Sequence, residues 1–502
     1  MKKRERDVTL NKLNQKKESD VKNYWARCAL SGILLILSTG CVKGPDLKLP
    51  ATPHPTNYTG TSPAPETMPG DRPPVNPQHL VSGASVDIAW WHKFSSPKLD
   101  KLIEHAFKTS PTLASARAAL QQAREIYGAQ AGTIKYPQVD ASLGAQRQRL
   151  NPGIFGQTGD AREFSLYNAD IGVRYNLDLS GGNHRALEAL ATHVDYQRYE
   201  LDAAYLTLAG NIAVTAISQA RISAELNATQ AILHAQEERL GLDRERLKLG
   251  QASQDEILLM QTQLERTRAG LSQLRKQYQQ NRHLLALLSG RSPGADGVPT
   301  FTFRDFTLPA DLPLIVPSKL ARHRPDILAA EALLQSANAE YGVAIAKLYP
   351  QINLSGNLGS QALTAGALFG TGSAVWSLLG QLVQPLFHPG LPAEKRAALA
   401  AFNAAAANYQ SVVLESFRNV ADVLRALEND SERFTALSGA DTASQKILDS
   451  TKRKYEFGAV SYYDLLNARQ QRQQSKLDLA EGKAMRLINS VEFFQAMGGG
   501  TQ

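Results

Sequence analysis

Cysteine is nearly absent: two in 502 residues. Cys28 lies in an N-terminal stretch with the marks of an export signal, so the exported chain keeps only Cys41 and cannot form an internal disulfide. Long hydrophobic runs are missing too. The longest apolar core, Ala29 to Leu37, falls well short of the ~20 residues that cross a bilayer as a helix. Histidines are few and scattered singly, among them His92, His105, His184, His323 and His388, without the spacing of metal ligands. No nucleophile elbow, phosphate-binding glycine loop or HExxH pattern occurs. These absences leave no catalytic residue, metal site or cofactor to assign. An excess of one charge is also missing once the leader is set aside. Residues 1–40 carry nine basic and four acidic residues, so their removal lowers the formal +8 to about +3. Nucleic acid is thereby excluded as a partner, since it demands a dense basic face.

What is present begins with that leader. A basic segment, a short apolar core and the small residues Ser38-Thr39-Gly40 before Cys41 read as a lipoprotein signal peptide over 1–40, with lipid attachment at Cys41. Residues 41–95 follow as a lipid-anchored N-terminal segment. Ten prolines fall between 45 and 77, a density that favours extended chain over packed elements.

The remainder is written twice. Lys135-Tyr136-Pro137-Gln138-Val139 returns as Leu348-Tyr349-Pro350-Gln351-Ile352. Leu249-Gly250-Gln251-Ala252-Ser253 with Glu256 returns, at nearly the same offset, as Phe457-Gly458-Ala459-Val460-Ser461 with Asp464. Leu287-Leu288-Ser289-Gly290 closes the first copy as Ala496-Met497-Gly498-Gly499 closes the second. The period far exceeds that of solenoid arrays, so one domain is duplicated. The divisions are 96–290 for the first repeat, 291–320 for a linker, 321–498 for the second repeat and 499–502 for a tail.

Each repeat holds two kinds of periodicity. A helix is expected from Pro97 to Lys135, after which Val139, Ala141, Leu143 and Ala145 alternate with polar residues, the mark of a strand with one wet face. Ala169, Ile171, Val173, Tyr175, Leu177 and Leu179 continue the pattern, and Ile352, Leu354, Gly356 and Leu358, then a segment through Trp376, repeat it. Helices of roughly 65 residues, about 100 Å long, follow each strand pair. Heptad seams mark the return helices: Ile257, Leu264, Leu271, Tyr278 and Leu285 in one, Leu477, Ala484 and Val491 in the other, the pattern of a coiled coil. In an exported chain, such strands suit a membrane barrel with its apolar face on lipid. Four strands cannot enclose water, so several chains must share one barrel, and a trimer giving about twelve strands is the simplest even-numbered solution.

These residues resemble the outer-membrane factors, the TolC-like exit ducts, and within them the nodulation protein T lipoprotein branch that serves drug efflux. The resemblance covers about residues 41–498. Cys41 with Gly44-Pro45-Asp46 and the Trp90-Trp91 opening carry it, and above all Arg324-Pro325-Asp326 leading through Ala330-Glu331 and Ala337-Asn338-Ala339 to Tyr349-Pro350. It implies an α+β membrane protein: a homotrimer whose twelve-stranded β-barrel, four strands per protomer, continues into a long α-helical coiled-coil barrel. It implies a bacterial outer-membrane location with the helical part in the periplasm, and passive passage of small molecules such as drugs. The implied partners are a periplasmic adaptor, an inner-membrane pump of the resistance-nodulation-division class, and outer-membrane lipid.

The resemblance also implies site residues. Gly250, Ser253, Gly458 and Ser461 mark the adaptor-contacting tips. Asp464 falls in an acidic ring at the pore constriction, where three crowded carboxylates would raise one another's pKa; Asn467 stands where a second acid is common. Tyr455 and Glu256 match positions whose hydrogen bond holds the tip shut, with Asp255 beside them replacing a neutral residue, while Val460 stands where some relatives carry an arginine. A type I protein-secretion or metal-efflux duct of the same fold remains open, as does a periplasmic coiled-coil scaffold.

Overall fold

Alternating and heptad patterns resolve into a strand-rich and a helix-rich part. The computed structural model describes residues 45–51, 57–58, 77–151, 153, 156 and 158–499; the leader, Cys41 and most of the tether lie outside them. In chain order the elements are β1 (His79–Ser82), a 3-10 turn (Trp90–Phe94), α1 (Pro97–Thr109), α2 (Pro111–Lys135), β2 (Gln138–Leu150), β3 (Arg162–Leu177), α3 (Gly182–Lys248), α4 (Gln254–Leu288), β4 (Asp311–Leu314), α5 (Pro317–Leu320), α6 (Pro325–Ala346), β5 (Gln351–Ala362), β6 (Ala374–Val383), α7 (Gly390–Glu456) and α8 (Tyr462–Ala496).

The duplication shows in these bounds. α3 and α7 are each 67 residues and α4 and α8 each 35. The offset from Gly182 to Gly390 equals that from Gln254 to Tyr462, so each helix pair repeats in step. β2 and β5 start slightly further apart, at Gln138 and Gln351, which leaves the first copy the longer strand region. The described residues form two compact units, each drawing on both repeats. One comprises the chain up to Lys48 with Arg124–His193 and Leu334–Ala405; the other takes Leu49–Ala123, Val194–Leu333 and Ala406–Gln502.

The first unit is built on one antiparallel sheet of order β2-β3-β5-β6. Its register aligns Val139, Val173, Gly356 and Leu378 in one cross-strand row and Ala141, Ile171, Leu358 and Trp376 in the next. Because side chains alternate with period two, these rows share a face. That face is uncovered in the protomer: Leu143 is 78% exposed, Trp376 78% and Leu378 79%. The opposite face is mainly polar and bonded across strands, with Phe164, Leu166, Val375 and Leu379 among its apolar members. Arg174 pairs with Asp140 at 2.5 Å, Ser142 donates to Asp170, and Asn176 donates to Asn353 at 2.7 Å. The strands run longer than their sequence pattern: β2 extends to Leu150 and β3 begins at Arg162, where the apolar face gives way to Arg147, Arg149 and Glu163 while Leu150, Phe164 and Leu166 stand on the other face. At the far end, Gly181 takes φ +73 and the Asp178 carboxylate accepts the His184 N–H at 2.8 Å, which starts α3. A Cβ at Gly182 would stand 2.9 Å from that of Ala346, so the α3 start and the α6 end meet where only glycine fits. Asn338 donates to the Pro45 carbonyl at 3.1 Å and Arg185 lies 3.6 Å from Asp46, so the N-terminal segment is tied to this unit.

The second unit holds the main core. Trp90, Phe94, Leu99, Ile212, Ile217, Leu285, Phe301, Leu487, Phe493 and Phe494 are all at or below 1% exposed. Trp90 stacks on Phe494, with centroids 5.4 Å apart. α3 is the one described helix long and apolar enough to cross a membrane, yet Leu208, Ala209, Ile212, Ala213, Ala216 and Ile217 are buried in this core, which accounts for its hydropathy. The α4 seam behaves as its heptads demand, with Ile257, Leu264, Leu271 and Leu285 buried and Tyr278 half-buried.

Three expectations are corrected. The single helix from Pro97 to Lys135 is two, because Ser110 is extended (φ −64, ψ 123) and a residue before proline disfavours the helical region. The four-strand inventory misses β1 and β4, which pair in parallel with His79 opposite Asp311; such short strands show no alternation. The linker at 291–320 is therefore partly structured. The closing motifs align Gly290 (φ +72) with Gly498 (φ +88), one residue off the sequence match, because the left-handed C-cap sets the register.

Candidate functional site

Two turns join the long helices, and both are built the same way. Gly250 N–H donates to Leu247 O at 2.9 Å and Gln251 N–H to Arg246 O at 2.8 Å; Gly458 N–H donates to Tyr455 O at 2.9 Å and Ala459 N–H to Lys454 O at 2.8 Å. These are Schellman caps, which need a left-handed residue, and both glycines adopt it at φ +72 and +69. Ser253 and Ser461 then cap the return helices, accepting from the N–H groups of Glu256 and Asp464 at 3.2 Å each. Leu249 and Phe457 stand before the glycines with 72% and 87% of their surface in water.

The second turn is the more elaborate. Asp464 closes a capping box, its carboxylate accepting from Ser461 N–H at 3.0 Å and Ser461 Oγ–H at 2.7 Å. Those bonds hold its carboxyl below the usual aspartate range. Within one protomer the sign is thus opposite to the upward shift expected of a crowded ring, because the side chain is spent on its own helix start. Asn467 is half-buried and accepts from Arg239 Nη1 at 2.8 Å. Tyr455 and Glu256 are both exposed and are not bonded to each other in the protomer; the Tyr455 ring packs on Tyr462 at 5.5 Å. Asp255 lies exposed in the first turn of α4.

Residues that sequence reading missed tie α8 to α3. The Arg239 guanidinium lies 4.1 Å from the centre of the Tyr463 ring and its Nε 3.7 Å from Asp243. Burial lowers the Arg239 pKa, and Asp243 offsets part of that. Tyr462 Oη–H donates to Glu238 at 3.1 Å, and Arg469 stands 3.8 Å from the same carboxylate. Above this, Gln236 is 1% exposed with neither amide atom bonded, so the seam is polar where a heptad would be apolar. The available signal was an Arg-Asp pair one helical turn apart, with two tyrosines directly after an N-cap elsewhere in the chain. Further up α8, Arg472 pairs with Asp441 of α7.

The Arg324-Pro325-Asp326 motif has a structural task. Arg324 grips Asp326 through two bonds of 3.0 and 2.7 Å and donates to the Ala496 carbonyl at 3.0 Å, joining the start of α6 to the end of α8. Among the described residues no group of three metal-binding side chains occurs.

The profile of the outer membrane efflux protein family matches residues 102–291 and 316–499, one match in each repeat. The pyoverdine export outer membrane protein OpmQ of Pseudomonas putida is 30% identical over 450 residues, covering 88% of this chain and 95% of that protein. Outer membrane protein OprJ of Pseudomonas aeruginosa is 27% identical, covering 94% and 95%. Among solved structures, the outer-membrane channel OprN superposes with a TM-score of 0.79 at 25% identity, covering 92% of this chain and 99% of that one. The open state of the Neisseria gonorrhoeae MtrE outer membrane channel gives 0.77 at 26% identity, covering 92% and 98%. With both repeats matched and the sheet and paired long helices of channel structures in place, this chain belongs to the outer membrane efflux protein family.

Proposed function

We propose that three copies of this chain form the outer-membrane exit duct of a tripartite efflux system, conducting small molecules handed over by an inner-membrane pump through a periplasmic adaptor. The observation that carries this reading is the sheet. It has one apolar face left in water and two unpaired edges, on β2 and β6. Edges so exposed invite pairing with another chain, and only closure satisfies every backbone group inside lipid. The stretch of β3 from Tyr167 to Leu177 spans the apolar rows. That is about 33 Å along the strand, or about 25 Å across the bilayer at a tilt of about 40°, the height of a barrel's apolar band.

In this reading the turns at Gly250, Ser253, Gly458 and Ser461 meet the adaptor, with Leu249 and Phe457 offering apolar surface. Asp464 and Asn467 ring the constriction; Tyr455, Glu256 and Asp255 contribute to the gate between protomers. Cys41 carries the lipid. The relatives' names span pyoverdine export, toluene efflux and, in CusC of Escherichia coli, cation efflux. This breadth on one scaffold favours cargo selection upstream of the duct, and the branch resemblance favours a proton-driven pump. Nothing in the chain transforms its cargo in this scheme.

The test is direct. Purified protein should migrate as a heat-sensitive trimer in detergent gels and, in planar bilayers, give a small conductance that grows when the gate is loosened. A monomer without conductance under any condition would remove the proposal.

A further inference from the structure

The first hairpin is longer than the second, and its extra length carries charge where the apolar rows end. On the apolar face of β2, Val139, Ala141, Leu143 and Ala145 are followed in the same alternation by Arg147 and Arg149. Across the pair stand Tyr167, Ser165 and Glu163, opposite Ala145, Arg147 and Arg149. The face therefore changes from apolar to basic within one step of the alternation. Arg147 and Arg149 converge on one carboxylate, at 3.2 and 4.0 Å from Glu163, and the three side chains are 75%, 71% and 51% exposed. On this face two guanidiniums share a single negative charge, and Arg162, opposite Leu150, stands on the other face. A net positive charge with unfilled N–H donors remains on the outward face. Close by, at the shorter second hairpin, Leu363 and Phe369 are 61% and 82% exposed.

We propose that Arg147 and Arg149 form a docking surface for the phosphate groups of outer-leaflet glycolipid, the phosphorylated lipid A of a lipopolysaccharide membrane. This rests on the barrel reading above, which turns this face toward lipid. Within the sheet's own unit the end of α2 and the start of α3 meet the strands at the end away from this hairpin, the periplasmic end in the barrel reading, so the hairpin is the outer one. One step beyond the apolar band lies at headgroup depth, where guanidinium forks match phosphate oxygens bidentately. An exposed Arg-Glu pair holds its partners weakly, so the arginines can exchange Glu163 for phosphate or bind both.

The test uses full-length trimer incubated with bis-phosphorylated lipid A, with retained lipid counted by native mass spectrometry. The Arg147→Gln/Arg149→Gln protein should retain lipid A about tenfold more weakly or worse. Arg147→Lys/Arg149→Lys, which keeps the charge and loses the fork, should bind between wild type and the Gln variant, and dephosphorylated lipid A should bind wild type no better than the Gln variant binds the phosphorylated form. Heat-sensitive trimer migration certifies that each variant folds. Equal retention by wild type and the Gln variant, or indifference to phosphate, overturns the proposal. Quenching of Trp376 by brominated acyl chains separates the two readings: without it the barrel reading fails, and with it an unchanged lipid A retention refutes the arginine surface alone.

Discussion

In the proposed trimer Asp464 would do two jobs that pull its ionisation in opposite directions. The Ser461 bonds stabilise the carboxylate and lower its pKa, whereas assembly into a ring of three would raise it. A depressed folded pKa contributes stability that is present above the unfolded value and lost as pH falls through the folded one, so the cap weakens only in acid. Ser461→Ala removes the Oγ–H bond, the larger of the two lowering contributions, and leaves the backbone N–H bond in place. The midpoint of divalent-cation block of the pore should then move to higher pH, measured by single-channel recording; an unmoved midpoint would separate Asp464 from the constriction. Arg239 is the second decisive residue, since its guanidinium touches Tyr463, Asn467 and Asp243 together. In planar-bilayer recordings Arg239→Leu should raise open probability several-fold and Tyr455→Phe should raise conductance, and the double variant should show both effects additively, because the two residues share no partner. Asp464, Asn467 and Tyr455 were singled out through the resemblance alone. Arg239 was not, because its role depends on which faces of two helices meet, and those helices belong to different repeats.

Among the elements, the two strand pairs were legible because alternation is a local signal: one face apolar, one polar, sustained along most of a strand. β1 and β4, four residues each, carried no such signal, and their pairing links segments that flank the whole first repeat. The helices were legible from heptads and glycine turns, while the break at Ser110 was overlooked although Pro111 announces it. The sheet offers a sharp contrast between its faces. Leu378 lies on the apolar side and Ser377 on the other, both on β6. An arginine on the lipid side near the bilayer midplane costs about 2–4 kcal/mol, while one in the lumen meets water. Leu378→Arg should therefore fold poorly into vesicles by the heat-sensitive gel shift, and Ser377→Arg should fold normally with altered ion selectivity.

For the molecule as a unit, residue order was enough to establish the duplication and the sheet's two unlike faces, because each is written in pattern along the chain. From them follows the need for partner chains, since four strands close nothing. Folding in three dimensions was required to divide each repeat between two compact units, to set Asn467 against Arg239, to join α6 to the end of α8 through Arg324, and to align Arg147 and Arg149 with the apolar face. The difference is one of range. A cap or an alternation is decided within a few residues, whereas a contact between helices depends on rotations and registers accumulated along their whole length, to which no local pattern corresponds.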